Sequence, residues 1–160
     1  MSVVKLVKAA DMFPLVQEIF ENGGSARITV TGMSMYPFLR DGKDSVELAK
    51  TDFSKIRRGD IVLALRNNGQ YFLHRIYKKN EDSFLMMGDA QTWIDGPYMP
   101  NQLIAIVTKI WRQDKIIECS SFGWRVISNI WRLLKPVRRI MLRIIGGIER
   151  RIVPKSREII

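Results

Sequence analysis

Residues 28–37, ITVTGMSMYP, constrain the fold more than any other part of the sequence. The β-branched run at 28–31 predicts a strand, because branched side chains fit a pleated, half-buried surface. Gly32 then permits a sharp bend, and Pro37 cannot donate a hydrogen bond to a strand ladder. The segment therefore predicts a chain reversal that presents Ser34 where the strand ends.

The position of Ser34 suits a nucleophile. A nucleophilic serine needs a rigid, accessible turn beside backbone N–H groups that can bind an oxyanion. A strand that leads into a turn containing Gly and Pro provides such a place, although the same residues also form ordinary turns. Ser34 alone is therefore only a candidate nucleophile, and its role depends on the rest of the chain.

The chain on either side of this turn predicts short secondary-structure elements. Residues 45–49 alternate in hydrophobicity, and residues 61–66 and 71–77 flank an Asn-Asn-Gly turn, which predicts a hairpin. Further strand candidates are the apolar runs 84–87, 103–110 and 116–117. Residues 12–21 predict a short helix with Asp11 as its N-cap. Together these elements predict a mostly-β domain, a small barrel or coiled sheet with a short N-terminal helix.

The net charge divides the chain into two parts. Residues 1–121 contain 16 Lys or Arg and 14 Asp or Glu, whereas residues 122–160 contain 10 basic residues and only two acidic ones. We therefore predict a catalytic or binding domain over residues 1–121 and a basic tail over residues 122–160. A positive excess confined to one segment indicates an anionic partner, either lipid or nucleic acid.

The basic tail predicts an amphipathic helix over residues 124–153. Ile and Trp recur at helical spacing on one face, and arginines follow on another, with breaks predicted at Pro136 and at Gly146 and Gly147. Five basic residues between Arg132 and Arg143 argue against a membrane span, since each costs about 2.5–3.5 kcal/mol at the bilayer centre. An interfacial helix on an anionic membrane is the favoured interpretation, and a packing or oligomer helix is the alternative.

Other classes of protein fit the composition poorly. The chain has a single cysteine, Cys119, and a single histidine, His74, so we expect no disulfide within the chain and no metal site. The opening residues lack the long apolar run of a signal peptide or an N-terminal anchor. The apolar face of the tail suits lipid better than phosphate backbone, so we expect no nucleic-acid partner.

Four boxes follow one another along the chain: GMSMYP at 32–37, RGDIV at 58–62, HRI at 74–76 and GDA at 88–90, with Asp95 beyond them. Their order resembles that of the signal peptidase I family and of its relatives with the same fold. The resemblance covers roughly residues 25–110, and four boxes in order are much more specific than one. It implies a serine endopeptidase without a cofactor.

The resemblance also implies roles for the serine and the histidine. Ser34 matches the nucleophile, and His74 stands where the bacterial type has a lysine and the endoplasmic-reticulum, archaeal and sporulation-associated types have a histidine. The chain is thus similar to the histidine type. Imidazole suits the role of general base, because its ordinary pKa near 6.5 leaves it mostly neutral at pH 7.

Two aspartates compete for the third position, the one that orients the imidazole. By resemblance Asp95 matches this position better, and Asp89 in the GDA box is the alternative. The backbone N–H groups of Ser34 and Met35 are the expected oxyanion donors. Met33 and Met35 are candidate lining residues of a substrate groove, although methionines are more often core residues.

The resulting hypothesis is a serine endopeptidase that cleaves a signal or leader peptide near small residues. Its expected partners are an extended peptide or protein substrate and an anionic membrane surface, which we expect it to bind peripherally through residues 122–160 on the cytoplasmic face. A catalytically silent module that binds peptides at the membrane is the main alternative. A self-cleaving regulator has less support, because the SOS-type repressors use lysine as base and no helix-turn-helix precedes Ser34.

Overall fold

A computed structural model describes residues 9–152 of the chain, with the side chains of residues 13–148. The protein forms one antiparallel sheet flanked by helices. The strands are β1 (Ser25–Thr29), β2 (Asp44–Ala49), β3 (Ile61–Leu65), β4 (Tyr71–Lys79), β5 (Phe84–Met87), β6 (Asp95–Tyr98), β7 (Leu103–Arg112) and β8 (Lys115–Glu118). The helices are α1 (Ala9–Glu21), α2 (Phe122–Leu133) and α3 (Arg138–Ile152), with short 3-10 turns at Pro100–Gln102 and Lys135–Val137.

The strand order is β1-β2-β7-β3-β4-β5-β6, and β8 pairs with β7 outside this path. Every pairing is antiparallel, which is the geometry that short hairpin connections favour. The predicted mostly-β class with a short N-terminal helix and C-terminal helices is confirmed. The sheet is open rather than closed into a barrel.

The largest differences from the predicted elements are two shifted starts and one strand that was not predicted. The first strand covers Ser25–Thr29 rather than residues 28–31, although Val30 still donates a 2.9 Å hydrogen bond to the Asp44 carbonyl. Helix α1 begins by Ala9, so Asp11 lies inside the helix and does not cap it. Strand β6 was not predicted, because its Gly-Pro pair is typical of turns; it is an edge strand, where a proline is tolerated.

The sheet buries side chains on both of its faces. One cluster lies under α1 and includes Val16, Leu63 and Val107, and a second includes Val62, Ile76 and Phe84. Since successive residues of a strand point to opposite faces, the central strand β3 supplies Leu63 to one cluster and Val62 to the other. This two-sided burial explains why β3 is almost continuously apolar.

The C-terminal helices contact the sheet domain directly. The break predicted at Pro136 is confirmed by the turn Lys135–Val137, whereas Gly146 and Gly147 lie within α3 and do not break it. Trp131 and Arg138 are buried, at 6% and 1% exposure. The division at residue 121 stays a prediction, and residues 1–8 and 153–160 lie outside the described part of the chain. Among the described residues, none of the helices has the length and apolar character needed to cross a membrane.

Candidate active site

The loop that carries Ser34 begins at a glycine in the left-handed region. Gly32 has φ +88° and donates its backbone N–H to Oδ1 of Asp41 at 2.8 Å. A side chain at this φ would strain the backbone, so the bend after β1 depends on glycine. Ser34 follows in a half-buried turn, as the sequence predicted.

The far end of this loop is fixed by a buried carboxylate. Asp44 is fully buried and accepts hydrogen bonds from Nη2 of Arg40 and Nη2 of Arg112, both at 2.9 Å. Burial alone would raise the pKa of Asp44, but these hydrogen bonds lower it below its usual value. Arg112 also donates to the carbonyl of Phe38 at 2.7 Å. The Ser34 loop is therefore held at both ends.

The Ser34 loop lies against the Gly-Asp-Ala segment that follows β5. The backbone N–H of Ala90 donates to the carbonyl of Ser34 at 2.9 Å. A Cβ atom on Gly88 would lie 2.5 Å from that same carbonyl oxygen, so no larger residue fits at position 88. Two boxes that are more than 50 residues apart in the sequence thus form one surface.

His74 lies in the strand next to this surface. Arg75 of β4 pairs with Met87 of β5, so His74 is level with Gly88, which the Ser34 carbonyl contacts. The hydroxyl of Ser34 makes no hydrogen bond with any residue that the structure describes. Catalytic hydrogen bonds are often long or unformed before substrate binds, and this arrangement is compatible with a base that engages later.

Asp95 is the carboxylate beside the imidazole. Its Oδ2 lies 3.3 Å from Nδ1 of His74, at the distance of an ion pair, but the ring N–H is not aligned for a full hydrogen bond. The same Oδ2 accepts from Nη2 of Arg66 at 3.2 Å. The ring of Phe72 contacts the imidazole edge-on, with the centroids 4.9 Å apart. Asp95 favours the tautomer protonated at Nδ1, which leaves Nε2 to accept a proton.

The imidazole is neutral at physiological pH. His74 is 2% exposed, and its burial lowers its pKa to about 4, even though the charge of Asp95 acts in the opposite direction. Arg66 lowers this pKa further. A neutral imidazole at pH 7 has a free acceptor nitrogen, which is the form that a general base requires.

The depressed pKa predicts how stability depends on pH. Between about pH 6.5 and pH 4 the unfolded chain takes up a proton at His74 that the folded chain does not, so the unfolding free energy falls as pH falls. The loss across this window is on the order of 3 kcal/mol. Urea denaturation of the wild type at a series of pH values is expected to show this slope, and His74→Gln is expected to remove it. Equal slopes in the two proteins would contradict the prediction.

Asp89 lies on the other face of the sheet and has a different partner. It accepts hydrogen bonds from Nε and Nη2 of Arg75 at 2.9 and 2.7 Å, and both side chains are buried. Its backbone carbonyl accepts from Nε1 of Trp131 at 2.9 Å. Asp89 is thus a bridge between β4 and α2, whereas Asp95 contacts the imidazole.

The two methionines beside Ser34 have different surroundings. Met33 is 57% exposed, and its role in lining a substrate groove stays a prediction. The side chain of Met35 is only 2% exposed and packs in the core under α1, so it is not a groove-lining residue. Within the described part of the chain, the backbone N–H groups of Ser34 and Met35 donate no hydrogen bond. Their role as oxyanion donors stays a prediction.

Some residues of the site were missed from the sequence. Arg66, Phe72 and Trp131 contact Asp95, His74 and Asp89, respectively. Arg66 and Phe72 flank the hairpin turn, and only the alternation of strand faces could have placed Phe72 with His74. Among the residues that the structure describes, no group of three His, Cys, Asp or Glu is arranged to hold a metal ion.

Comparison with known proteins gives one family. The family model described as Peptidase S24-like matches residues 4–110, a segment that includes Ser34, His74, Asp89 and Asp95. The match supports a serine-peptidase fold and ends before α2. No curated protein is significantly similar to the chain.

Proposed function

Because this chain belongs to the peptidase S24-like family, we propose that it is a serine endopeptidase with Ser34 as nucleophile, His74 as base and Asp95 as the group that orients the base. One observation carries this proposal. Oδ2 of Asp95 lies 3.3 Å from Nδ1 of a buried, neutral imidazole, and the strand that carries this imidazole lies beside the Gly88–Ala90 segment that packs against the Ser34 carbonyl. A Ser/His/Asp mechanism requires a carboxylate at this place, beside the imidazole nitrogen that does not face the serine.

The chemistry follows from these positions. Oγ of Ser34 attacks the scissile carbonyl while Nε2 of His74 takes its proton, and Asp95 stabilises the imidazolium that forms. The free N–H groups of Ser34 and Met35 bind the oxyanion of the tetrahedral intermediate. His74 then protonates the leaving amine, and it activates a water molecule that releases the acyl group from Ser34. The low pKa of His74 means that the enzyme keeps its base form well below neutral pH.

We infer that the substrate is an extended peptide, and specifically a signal or leader peptide cleaved near small residues. Strand β1 is the last strand at its end of the sheet and runs directly into the Ser34 loop. A peptide that pairs with the free edge of β1 is led toward Ser34 by main-chain hydrogen bonds. The preference for small residues rests on the resemblance of the boxes to the histidine-type signal peptidases.

Incubation with a mixed peptide library, followed by mass spectrometry of the products, tests this function. We expect cleavage after small residues by the wild type and no cleavage by Ser34→Ala. Binding of extended peptides without cleavage would instead support the silent peptide-binding module.

We also propose that the chain associates peripherally with an anionic membrane, at its cytoplasmic face, through the C-terminal helices. Large apolar side chains of α2 and α3 are exposed to solvent: Phe122, Val126, Ile127, Ile130, Leu133, Ile140, Ile144 and Ile148. Arg139 and Arg143 are exposed on α3 and complement anionic lipid. Trp131 and Arg138 do not take part, because they are buried against the sheet domain.

Flotation of the full chain with anionic vesicles tests this association. We expect the wild type to float with the vesicles. The double variant Ile130→Glu/Leu133→Glu is expected to remain in the unbound fraction, because charge on the apolar face opposes insertion into the membrane. Ile116→Glu, at an exposed position of β8, is the matched control and is expected to float. Failure of the wild type to float with anionic vesicles would contradict the proposed membrane association.

A further inference from the structure

A cavity of about 190 Å³ lies between α2 and the turn that precedes β3. Its charged lining consists of Arg57, Arg58 and Asp60 from the turn and Arg125 from α2. A fifth charged side chain, Arg132, reaches the cavity wall, where its Nη1 lies 3.6 Å from the position of a Cβ on Gly59. The cavity is on the Arg75 side of the sheet, because its lining residue Ile61 is the cross-strand partner of Arg75. It is therefore separate from His74.

The arginines of this cavity have no carboxylate partner of their own. Within the described part of the chain, none of their four guanidinium groups lies within 4.0 Å of an Asp or Glu oxygen. Asp60 is the only acidic residue of the lining, and one of its oxygens accepts from the backbone N–H of Arg57 at 2.7 Å. Four positive charges thus face one negative charge.

Two of these arginines, Arg58 and Arg132, lie close enough for their charges to repel each other. Burial lowers the pKa of Arg132, and the nearby charge of Arg58 lowers it further. Like charges that lie close together repel, and an anion bound between them relieves that repulsion. The charges around the cavity therefore favour the binding of an anion.

Two buried polar groups beside the cavity lack hydrogen-bond partners. Ser128 lines the cavity and is only 5% exposed, and its Oγ makes no hydrogen bond. Nε of Arg132 is also buried without a partner. Buried polar groups are nearly always hydrogen-bonded in folded proteins, so an unmatched hydroxyl in the lining of the cavity indicates a missing partner there.

We propose that this cavity binds a phosphate group, either of a soluble phosphate or of a lipid headgroup. Guanidinium groups recognise phosphate oxygens with paired hydrogen bonds, and the hydroxyl of Ser128 adds a neutral donor. A bound phosphate joins the Arg57–Arg58 turn to Arg125 and so fastens α2 to the sheet domain. Trp131 of the same helix contacts the carbonyl of Asp89, so the site also supports the Gly88 segment behind Ser34.

Titration calorimetry of the full chain with inorganic phosphate is the first test. The variant is Arg58→Gln/Arg125→Gln, because both side chains are exposed at the cavity and their loss leaves the core intact. The matched control is Lys50→Gln/Lys78→Gln, which removes the same charge from exposed positions outside both the cavity and the C-terminal helices. We expect saturable binding that weakens at least about tenfold in the cavity variant and is unchanged in the control, since losing even one charge-assisted hydrogen bond has about this effect.

A second arm uses phosphatidylcholine vesicles that contain phosphatidic acid as the minor component. Vesicle binding that is lost in the cavity variant and kept in the control, without binding of inorganic phosphate, identifies a lipid headgroup as the source. Binding of inorganic phosphate with the same dependence on the variants identifies a soluble phosphate. The proposal is overturned if neither probe binds, or if the cavity variant and the control lose binding equally.

Discussion

Replacing Asp95 with asparagine is expected to lower kcat for peptide cleavage about 10⁴-fold while leaving the protein folded. Asparagine fills the same space beside His74, but its amide cannot stabilise the imidazolium that forms when Ser34 is deprotonated. It also fails to hold the imidazole in the tautomer that leaves Nε2 free. The ion pair of Asp95 with Arg66 is partly exposed, so its loss costs at most about 1 kcal/mol of stability.

The control for this prediction is Asp82→Asn, which makes the same chemical change at an exposed position outside the site. It is expected to cleave at the wild-type rate. Rates are compared with that of Ser34→Ala, which sets the background of the assay. A kcat for Asp95→Asn within tenfold of the wild type would mean that Asp95 does not orient the base.

Replacing Asp89 with asparagine is expected to destabilise the fold by about 3–5 kcal/mol. The carboxylate of Asp89 is the partner of two nitrogens of a guanidinium that is itself only 4% exposed. Without it Arg75 remains as a buried charge whose remaining hydrogen bond is to the Gly59 carbonyl. Guanidinium chloride denaturation at pH 7 measures the loss directly.

A double substitution tests whether the unpaired charge of Arg75 causes the loss of stability. Asp89→Leu with Arg75→Met replaces both charges by apolar groups and is expected to recover part of the lost stability. Recovery would show that the uncompensated charge causes the loss in Asp89→Asn. If Asp89→Asn has the same denaturant midpoint of unfolding as the wild type, the carboxylate of Asp89 does not stabilise the fold.

The two aspartates show what the sequence could and could not predict. The boxes identified both as candidates, and the resemblance ranked Asp95 first. The two aspartates have different partners because side chains alternate along a strand. His74 and Arg75 are adjacent in β4, so their side chains point to opposite faces of the sheet. Asp95 lies beside one and Asp89 beside the other. Which loop reaches which face depends on sheet pairing between distant segments, and local sequence does not contain that information.

The C-terminal region illustrates a similar limit. Helical spacing of apolar residues predicted the helices, and Pro136 predicted the break between them. Periodicity shows that a face is apolar but not what covers it. Trp131 is buried against the sheet domain, while Ile130, one residue earlier, is 52% exposed. Strand β6 was missed for another reason, because Gly96 and Pro97 oppose a strand locally and pairing with β5 overrides them.

Labelling with a serine-directed fluorophosphonate tests the central claim most directly. Intact-mass analysis at pH 8 compares the wild type with Ser34→Ala and His74→Ala. We expect a single adduct that maps to Ser34 in the wild type and no adduct in either variant, since the serine reacts only when His74 accepts its proton. An unlabelled wild type that also cleaves no peptide, or equal labelling of the wild type and His74→Ala, would contradict a Ser34–His74 mechanism.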